Sequence, residues 1–142
     1  GIEEFFKFGA AWIVISKNRD NFDEPVDAMI YLIVVALGFA AVENMAAASS
    51  AGELAFETTT LRFIGATLLH TLSSGLLGYY WALSLIRIKR QTLLIGFVLA
   101  TLLHTIFNYL IIKYEPAVVP TIFLIIFAIF ILYDFEKFKK LQ

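Results

Sequence analysis

The sequence contains no cysteine, and only 16% of its 142 residues are charged. Without a thiol, cysteine nucleophiles, disulfides and Cys–metal sites are excluded, whereas the redox compartment stays open. A water-soluble domain has about 25% charged residues, so this chain has too few to cover a soluble globule. A formal net charge of −1 gives no reason to expect nucleic acid as a partner. These shortages indicate an integral membrane protein whose surroundings are the lipid bilayer.

Long apolar runs make up most of the chain, of which 60% is hydrophobic. The runs lack the strict alternation of a transmembrane barrel, so we predict helices. The expected fold is all-α, a polytopic transmembrane bundle of about five spans. The predicted segments are residues 2–16, 25–48, 61–86, 92–112 and 120–133. Residues 51–62 are predicted to form a short surface helix or loop, and Asp23-Glu24-Pro25 to start the second helix.

The whole chain, residues 1–142, is predicted to be a single membrane-embedded domain. Glu3 and Glu4 stand where a signal peptide would carry basic residues, so none is expected. Because the chain does not begin with Met and the first segment is short, we expect an N-terminal truncation, with further segments upstream in the natural protein.

Basic residues cluster after the first, third and fifth segments, which places all three clusters on one side if the helices alternate. The positive-inside rule makes that side cytoplasmic. We therefore expect a multi-pass protein of the cell membrane, with the N-terminus of this chain outside. The clusters are Lys17 and Arg19; Arg87, Lys89 and Arg90; and Lys137, Lys139 and Lys140.

Several ionisable or amide side chains lie inside the apolar segments, where a bilayer makes them costly. At about 1.5 Å of helix rise per residue, they lie roughly 20–27 Å from the cytoplasmic helix ends. That is the outer half of a hydrocarbon core about 30 Å thick. Small and hydroxyl residues share their helix faces, so we expect these faces to meet inside the bundle. The residues are Glu3, Glu4, Glu43, His70, His104 and Asn108.

This inventory suits amide hydrolysis. A carboxylate beside a histidine can deprotonate water, and an Asn amide with a second His can stabilise an oxyanion. No Gly-x-Ser-x-Gly or His-Glu-x-x-His motif is present. We expect no metal and no cofactor, although two histidines and a glutamate could still ligate a metal in three dimensions. A non-catalytic binding or immunity protein and a proton-coupled carrier are the alternatives.

Five sequence motifs resemble those of PrsW-type intramembrane proteases. That family is grouped with the type II CAAX prenyl proteases and with bacteriocin-processing and immunity membrane proteins. The resemblance runs from the first segment through the fourth. The motifs are Glu3-Glu4-x-x-Lys7, Asp23-Glu24-Pro25-x-Asp27, Gly38-Phe39-Ala40-x-x-Glu43-Asn44, His70 and His104-x-x-x-Asn108.

The resemblance implies an endopeptidase that cleaves a membrane-anchored protein, such as an anti-sigma factor, on its extracytoplasmic side. It implies that Glu3 and Glu4 form the catalytic pair, one of them activating water together with His70. His104 and Asn108 match the oxyanion positions. The supporting polar shell would consist of Lys7, Glu43 and Asn44.

Overall fold

The computed structural model describes residues 1–17, 20, 22–114 and 118–139, and within them every regular element is a helix. A short 3-10 turn, Gly52–Leu54, precedes the third of five α-helices. The prediction of an all-α bundle is therefore confirmed. The helices are α1 (Ile2–Lys17), α2 (Asp27–Ser50), α3 (Ala55–Arg87), α4 (Arg90–Lys113) and α5 (Val118–Lys139).

Two helix starts differ from the sequence prediction. The separate surface segment predicted over residues 51–62 is wrong for residues 55–62, which belong to α3. The chain turns instead at Gly52, whose φ of +57° is a left-handed conformation that glycine adopts without strain. Helix α2 begins at Asp27 rather than at Pro25, because the Asp27 carboxylate accepts a hydrogen bond from the Glu24 amide (2.9 Å) and closes a turn first.

Three helices are long and apolar enough to cross a membrane: Asp27–Ser50, Arg90–Lys113 and Val118–Glu136. Helix α1 has 16 residues, fewer than the about 20 that a full span needs. Helix α3 has ample length, but its Ser, Thr, His and Gly residues make it less apolar. Two of the clustered basic residues, Arg19 and Lys140, lie outside the described residues, as do Glu115 and Pro116 between the fourth and fifth predicted segments.

Helix α3 is the centre of the bundle, and glycines set how closely its neighbours approach. A Cβ atom at Gly78 would lie 2.6 Å from the Cα of Met29, so the backbones of α2 and α3 touch there. A Cβ atom at Gly96 would lie 2.6 Å from the Cβ of Tyr80, which brings α4 against α3. These two close crossings hold the N-terminal parts of α2 and α4 against the C-terminal half of α3.

Helices α1 and α5 pack against this core in different ways. The Phe8 ring of α1 contacts the rings of Trp81 (4.8 Å between centroids) and Phe97 (5.1 Å), which anchors α1 to α3 and α4. Helix α5 buries Leu124 and Ile131 and leaves most of its other apolar side chains exposed. These exposed apolar side chains suit a helix that faces lipid.

Candidate active site

The first two turns of α1 carry a fully buried ion pair. Glu4 and Lys7 are three residues apart, so both lie on the inward face of the helix. The Lys7 ammonium donates to Glu4 Oε1 at 2.7 Å, and both side chains are excluded from solvent. A buried carboxylate and a buried ammonium are tolerated only as partners, so this pair fixes α1 against the bundle.

The Glu4 carboxylate also accepts hydrogen bonds from α3 and α4. The hydroxyls of Ser73 and Ser74 donate to Oε1 (3.1 Å) and Oε2 (3.3 Å), and His104 Nδ1 lies 3.3 Å from Oε1. With Lys7, four donors surround one carboxylate. From the sequence, Ser73 and Ser74 are expected only to permit close helix packing; their positions three and four residues after His70 are the signal that could have assigned them to this site.

The His70 ring is held at both nitrogens. Its Nε2 lies 2.9 Å from Glu43 Oε2 of α2, and its Nδ1 lies 2.8 Å from Lys7 Nζ. The Phe39 ring packs on the imidazole at 5.5 Å between centroids, and also lies 5.1 Å from the Lys7 ammonium. His70 is 2% exposed. The imidazole therefore sits in a fixed orientation between α1 and α2.

Glu3 differs from its neighbour Glu4. Its side chain is 42% exposed, yet its Oε2 atom is buried and has no hydrogen-bond partner among the described residues. That oxygen lies 3.5 Å from His104 Nε2 and 4.0 Å from His70 Nδ1. An orphaned buried oxygen is uncommon in a folded protein and calls for an explanation.

The neighbours of each imidazole limit where its hydrogens lie. A carboxylate only accepts and an ammonium only donates, so the contacts of His70 suit a hydrogen on Nε2, facing Glu43, and a lone pair on Nδ1 that accepts from Lys7. His104 lies between two carboxylates, with Nδ1 3.3 Å from Glu4 Oε1 and Nε2 3.5 Å from Glu3 Oε2, so either nitrogen can carry the hydrogen. Glu3 Oε2 thus faces one nitrogen of each histidine, at a place where a proton, a water or a cation would satisfy it.

The same three residues fit a divalent metal ion. Their ligand atoms lie within 4.8 Å of one another, and two imidazole nitrogens with one carboxylate oxygen form a donor set of catalytic zinc sites. Ligand atoms around tetrahedral zinc are about 3.3 Å apart, which follows from bonds of about 2.0–2.1 Å. The 3.5 Å between Glu3 and His104 already matches, whereas His70 Nδ1, 4.0 Å from Glu3, would have to move closer and release the Lys7 ammonium that lies 2.8 Å from it. Each ligand histidine is backed by a carboxylate, as metal ligands usually are. This set supports the metal-dependent variant that the sequence left open.

The structure thus brings six of the eight predicted site residues into one network. They come from four helices: Glu3, Glu4, Lys7, Glu43, His70 and His104.

Two predicted residues lie apart from that network. The Asn44 amide, next to Glu43 in the chain, donates to the hydroxyl of Thr67, which lies one turn before His70, at 3.0 Å and ties α2 to α3. Asn108 is exposed, one turn beyond His104, and makes no hydrogen bond with any residue that the structure describes. The catalytic roles themselves stay predictions.

The sequence is similar to those of known proteins. The sequence matches the family described as PrsW family intramembrane metalloprotease over residues 1–133. It is 31% identical over 90 residues to Protease PrsW of Geobacillus kaustophilus, covering 63% of this chain and 38% of that protein. It is also 31% identical over 139 residues to Protease PrsW of Oceanobacillus iheyensis, covering 96% of this chain and 63% of that protein.

No solved structure matches the chain significantly. The chain spans less than two thirds of the length of these two relatives. The family match nevertheless covers all four helices that supply the polar network. The chain therefore belongs to the PrsW protease family.

Proposed function

We propose that this chain forms the catalytic centre of an intramembrane endopeptidase, which hydrolyses a peptide bond in a membrane-anchored protein. The observation that carries the proposal is Glu3 Oε2, a buried oxygen with no hydrogen-bond partner among the described residues, which lies 3.5 Å from His104 Nε2 and 4.0 Å from His70 Nδ1. A purely structural cluster would satisfy such an oxygen, as the cluster around Glu4 does. An oxygen left open beside two imidazoles suits a site that receives a water, an ion or a substrate group.

The two glutamates take different roles. All the donors within reach of Glu4 are already engaged with it, so its lone pairs are occupied and it cannot readily accept a further proton. Glu3 is less constrained, because its side chain is partly exposed and its buried Oε2 atom, which faces the histidines, accepts no hydrogen bond from the described residues. Glu3 is therefore the proton acceptor, and Glu4 holds Lys7 and His104 in place.

The reaction follows from these roles. A water between Glu3 and the histidines attacks the carbonyl carbon of the scissile peptide, and its proton passes to the Glu3 carboxylate. The carbon–nitrogen bond then breaks, and Glu3 returns that proton to the leaving amine. A divalent ion held by Glu3, His70 and His104 would polarise the water and the carbonyl and lower the pKa of the water. No covalent intermediate with the protein is formed.

The oxyanion formed by the attack needs donors, and Asn108 supports this role better than His104. Both ring nitrogens of His104 face carboxylates, Glu4 at 3.3 Å and Glu3 at 3.5 Å, which engage its hydrogen in either tautomer. Asn108 is exposed one turn beyond on the same helix, so its amide can donate to a bound substrate. A single oxyanion donor accelerates such reactions by about 10²–10³-fold.

The substrate is a membrane-anchored protein, cleaved near the outer leaflet. The polar network lies at the start of α1 and toward the ends of α2 and α4, whereas Lys17, Lys89 and Arg90 lie at the opposite helix ends. The positive-inside rule places those basic residues in the cytoplasm, in a multi-pass protein of the cell membrane. An anti-sigma-factor-like protein is the substrate that the family resemblance favours.

The proposal is tested by reconstituting the protein in liposomes with a single-span reporter and measuring cleavage. Glu3→Gln keeps the shape of the side chain and removes the proton acceptor, so cleavage should fall by at least about 10²-fold. Glu53→Gln is the matched control, since Glu53 is an exposed acid in the 3-10 turn. Unchanged cleavage by the folded Glu3→Gln variant refutes the proposal, and proton flux without cleavage would favour a carrier instead.

A further inference from the structure

Glu43 contacts the catalytic network at the Nε2 edge of His70. The distance from Glu43 Oε2 to that nitrogen is 2.9 Å, whereas the other ring nitrogen faces Lys7 and Glu3. Glu43 comes from α2, the neighbour held against α3 by the close crossing at Gly78. Its carboxylate is only partly exposed, at 34%. The contact therefore depends on the fold and not on a chance meeting of surface side chains.

We propose that Glu43 is a positioning residue that keeps His70 in its Nε2–H tautomer, so that the Nδ1 lone pair lies on the side of the ring that faces Lys7 and Glu3. A carboxylate can only accept a hydrogen bond, which requires a hydrogen on Nε2. The Lys7 ammonium can only donate, which requires a lone pair on Nδ1. The two neighbours impose the same tautomer from opposite sides of the ring. The effect of the tautomer on catalysis rests on the proposed function, whereas the tautomer itself does not.

Lys7 alone does not fix the ring in the same way. Its ammonium lies as close to Glu4 Oε1 (2.7 Å) as to His70 Nδ1 (2.8 Å), so it keeps a strong partner if it releases the imidazole. Among the residues that the structure describes, Glu43 is the acceptor within hydrogen-bond distance of His70 Nε2. Without Glu43, that hydrogen would be buried and unpaired, a state that costs free energy, and the ring escapes it by moving its hydrogen to Nδ1. The lone pair then points away from Glu3.

The chain is suited to a direct test, because His70 and His104 are its only histidines. Protein labelled with ¹⁵N only at histidine shows two imidazoles by NMR in detergent micelles, and a His104→Asn variant assigns them. Protonated and unprotonated ring nitrogens differ widely in chemical shift, so the tautomer is read without substrate or metal. We expect Nε2–H for His70 in the wild type, and a large gain of the Nδ1–H form in Glu43→Leu.

Activity gives the second readout. Glu43→Leu should lower kcat about 10- to 100-fold, as loss of a partner behind a catalytic histidine does, with KM nearly unchanged. Glu43→Gln, whose amide oxygen can still accept from Nε2–H, should recover much of both the tautomer and the rate. Glu53→Leu, a change of the same kind at an exposed acid, should alter neither.

Three results would overturn the inference: Nδ1–H or a doubly protonated His70 in the wild type, an unchanged tautomer in a folded Glu43→Leu variant, or unchanged kcat there. If Glu43→Leu does not fold, the wild-type spectrum and Glu43→Gln still decide the question. A wild-type protein with the expected tautomer but no cleavage of any reporter contradicts the proposed function and leaves the tautomer assignment standing.

Discussion

Replacing Glu4 with glutamine is expected to destabilise the bundle far more than the same change at Glu3. Glu4→Gln preserves the shape of the side chain and removes its charge, which leaves the buried Lys7 ammonium without a counter-ion. Coulomb's law at 2.7 Å and an effective dielectric constant of about 20 gives an attraction of about 6 kcal/mol. Removing one partner of a buried pair typically costs about 3–5 kcal/mol, so we expect a loss in that range.

Glu3→Gln should behave in the opposite way. Its side chain is partly exposed and its buried oxygen has no hydrogen bond to lose among the described residues. Substitutions of this kind change stability by about 0.5 kcal/mol or less. Glu3→Gln therefore removes activity while the fold stays, whereas Glu4→Gln loses activity because the fold is weakened.

The assay is reversible unfolding of the purified protein in mixed micelles, followed by tryptophan fluorescence from Trp12 and Trp81. The double variant Lys7→Met with Glu4→Gln separates a broken pair from a mere loss of charge. It should be more stable than either single variant, because no buried charge is left alone. Equal losses from Glu3→Gln and Glu4→Gln, or additive losses in the double variant, would refute the division of roles between the two glutamates.

Three further predictions concern packing, metal binding and the oxyanion. Gly78→Ala should lower the free energy of unfolding by about 1–3 kcal/mol, because its Cβ atom would lie 2.6 Å from the backbone of α2. Gly9→Ala, whose Cβ atom would have nothing within 4 Å, should leave that free energy unchanged or raise it slightly. Thermal unfolding of the two variants compares them. Lys7→Met should lower stability yet bind Zn²⁺ about tenfold tighter or more, as measured by calorimetry, because the Lys7 ammonium no longer competes for the imidazole lone pair of His70. Weaker binding of Zn²⁺ would contradict the metal site. Asn108→Ala should lower kcat about 10²-fold without changing the unfolding midpoint, and an unchanged kcat would remove it from the oxyanion role.

Much of the fold could be predicted from the sequence because membrane helices are recognised by their long runs of apolar residues. The apolar runs of α2, α4 and α5 are long enough to span a bilayer, and in that setting backbone polar groups require helices. The start of α3 could not be predicted in this way. Residues 55–62 are polar enough to suggest a surface loop, yet no residue after Gly52 breaks the helix.

Six of the eight predicted site residues could be grouped from the sequence, whereas the internal order of the network could not be predicted. Buried ionisable residues at equal depth on four helices must meet one another, since the bilayer offers them no other partner. Which glutamate is locked and which is open depends on a rotation of about 100° between neighbouring helix positions. That rotation turns Glu4 toward Ser73 and Ser74 and leaves Glu3 at the edge of the bundle. Helix periodicity alone does not fix which position points inward.

The exposure of Asn108 could not be predicted from its spacing to His104. Its place four residues after His104 puts both on one helix face, which favoured a shared role. In the structure His104 turns into the network and Asn108 stays exposed. The spacing of two residues along a helix predicts that they share a face. The neighbouring helices determine how much of each side chain on that face is buried. The exposure of Asn108 is compatible with a contact made only when substrate is bound.

The central claim is that water, activated at Glu3, attacks the peptide directly. A single turnover in water enriched in oxygen-18, with the protein in liposomes and the reporter peptide analysed by mass spectrometry, tests it most directly. Direct attack predicts one heavy oxygen in the new carboxyl terminus of the product on the first turnover, and none in Glu3. An unlabelled product with the label in Glu3 would mean that the carboxylate itself attacks the peptide, and would contradict the account.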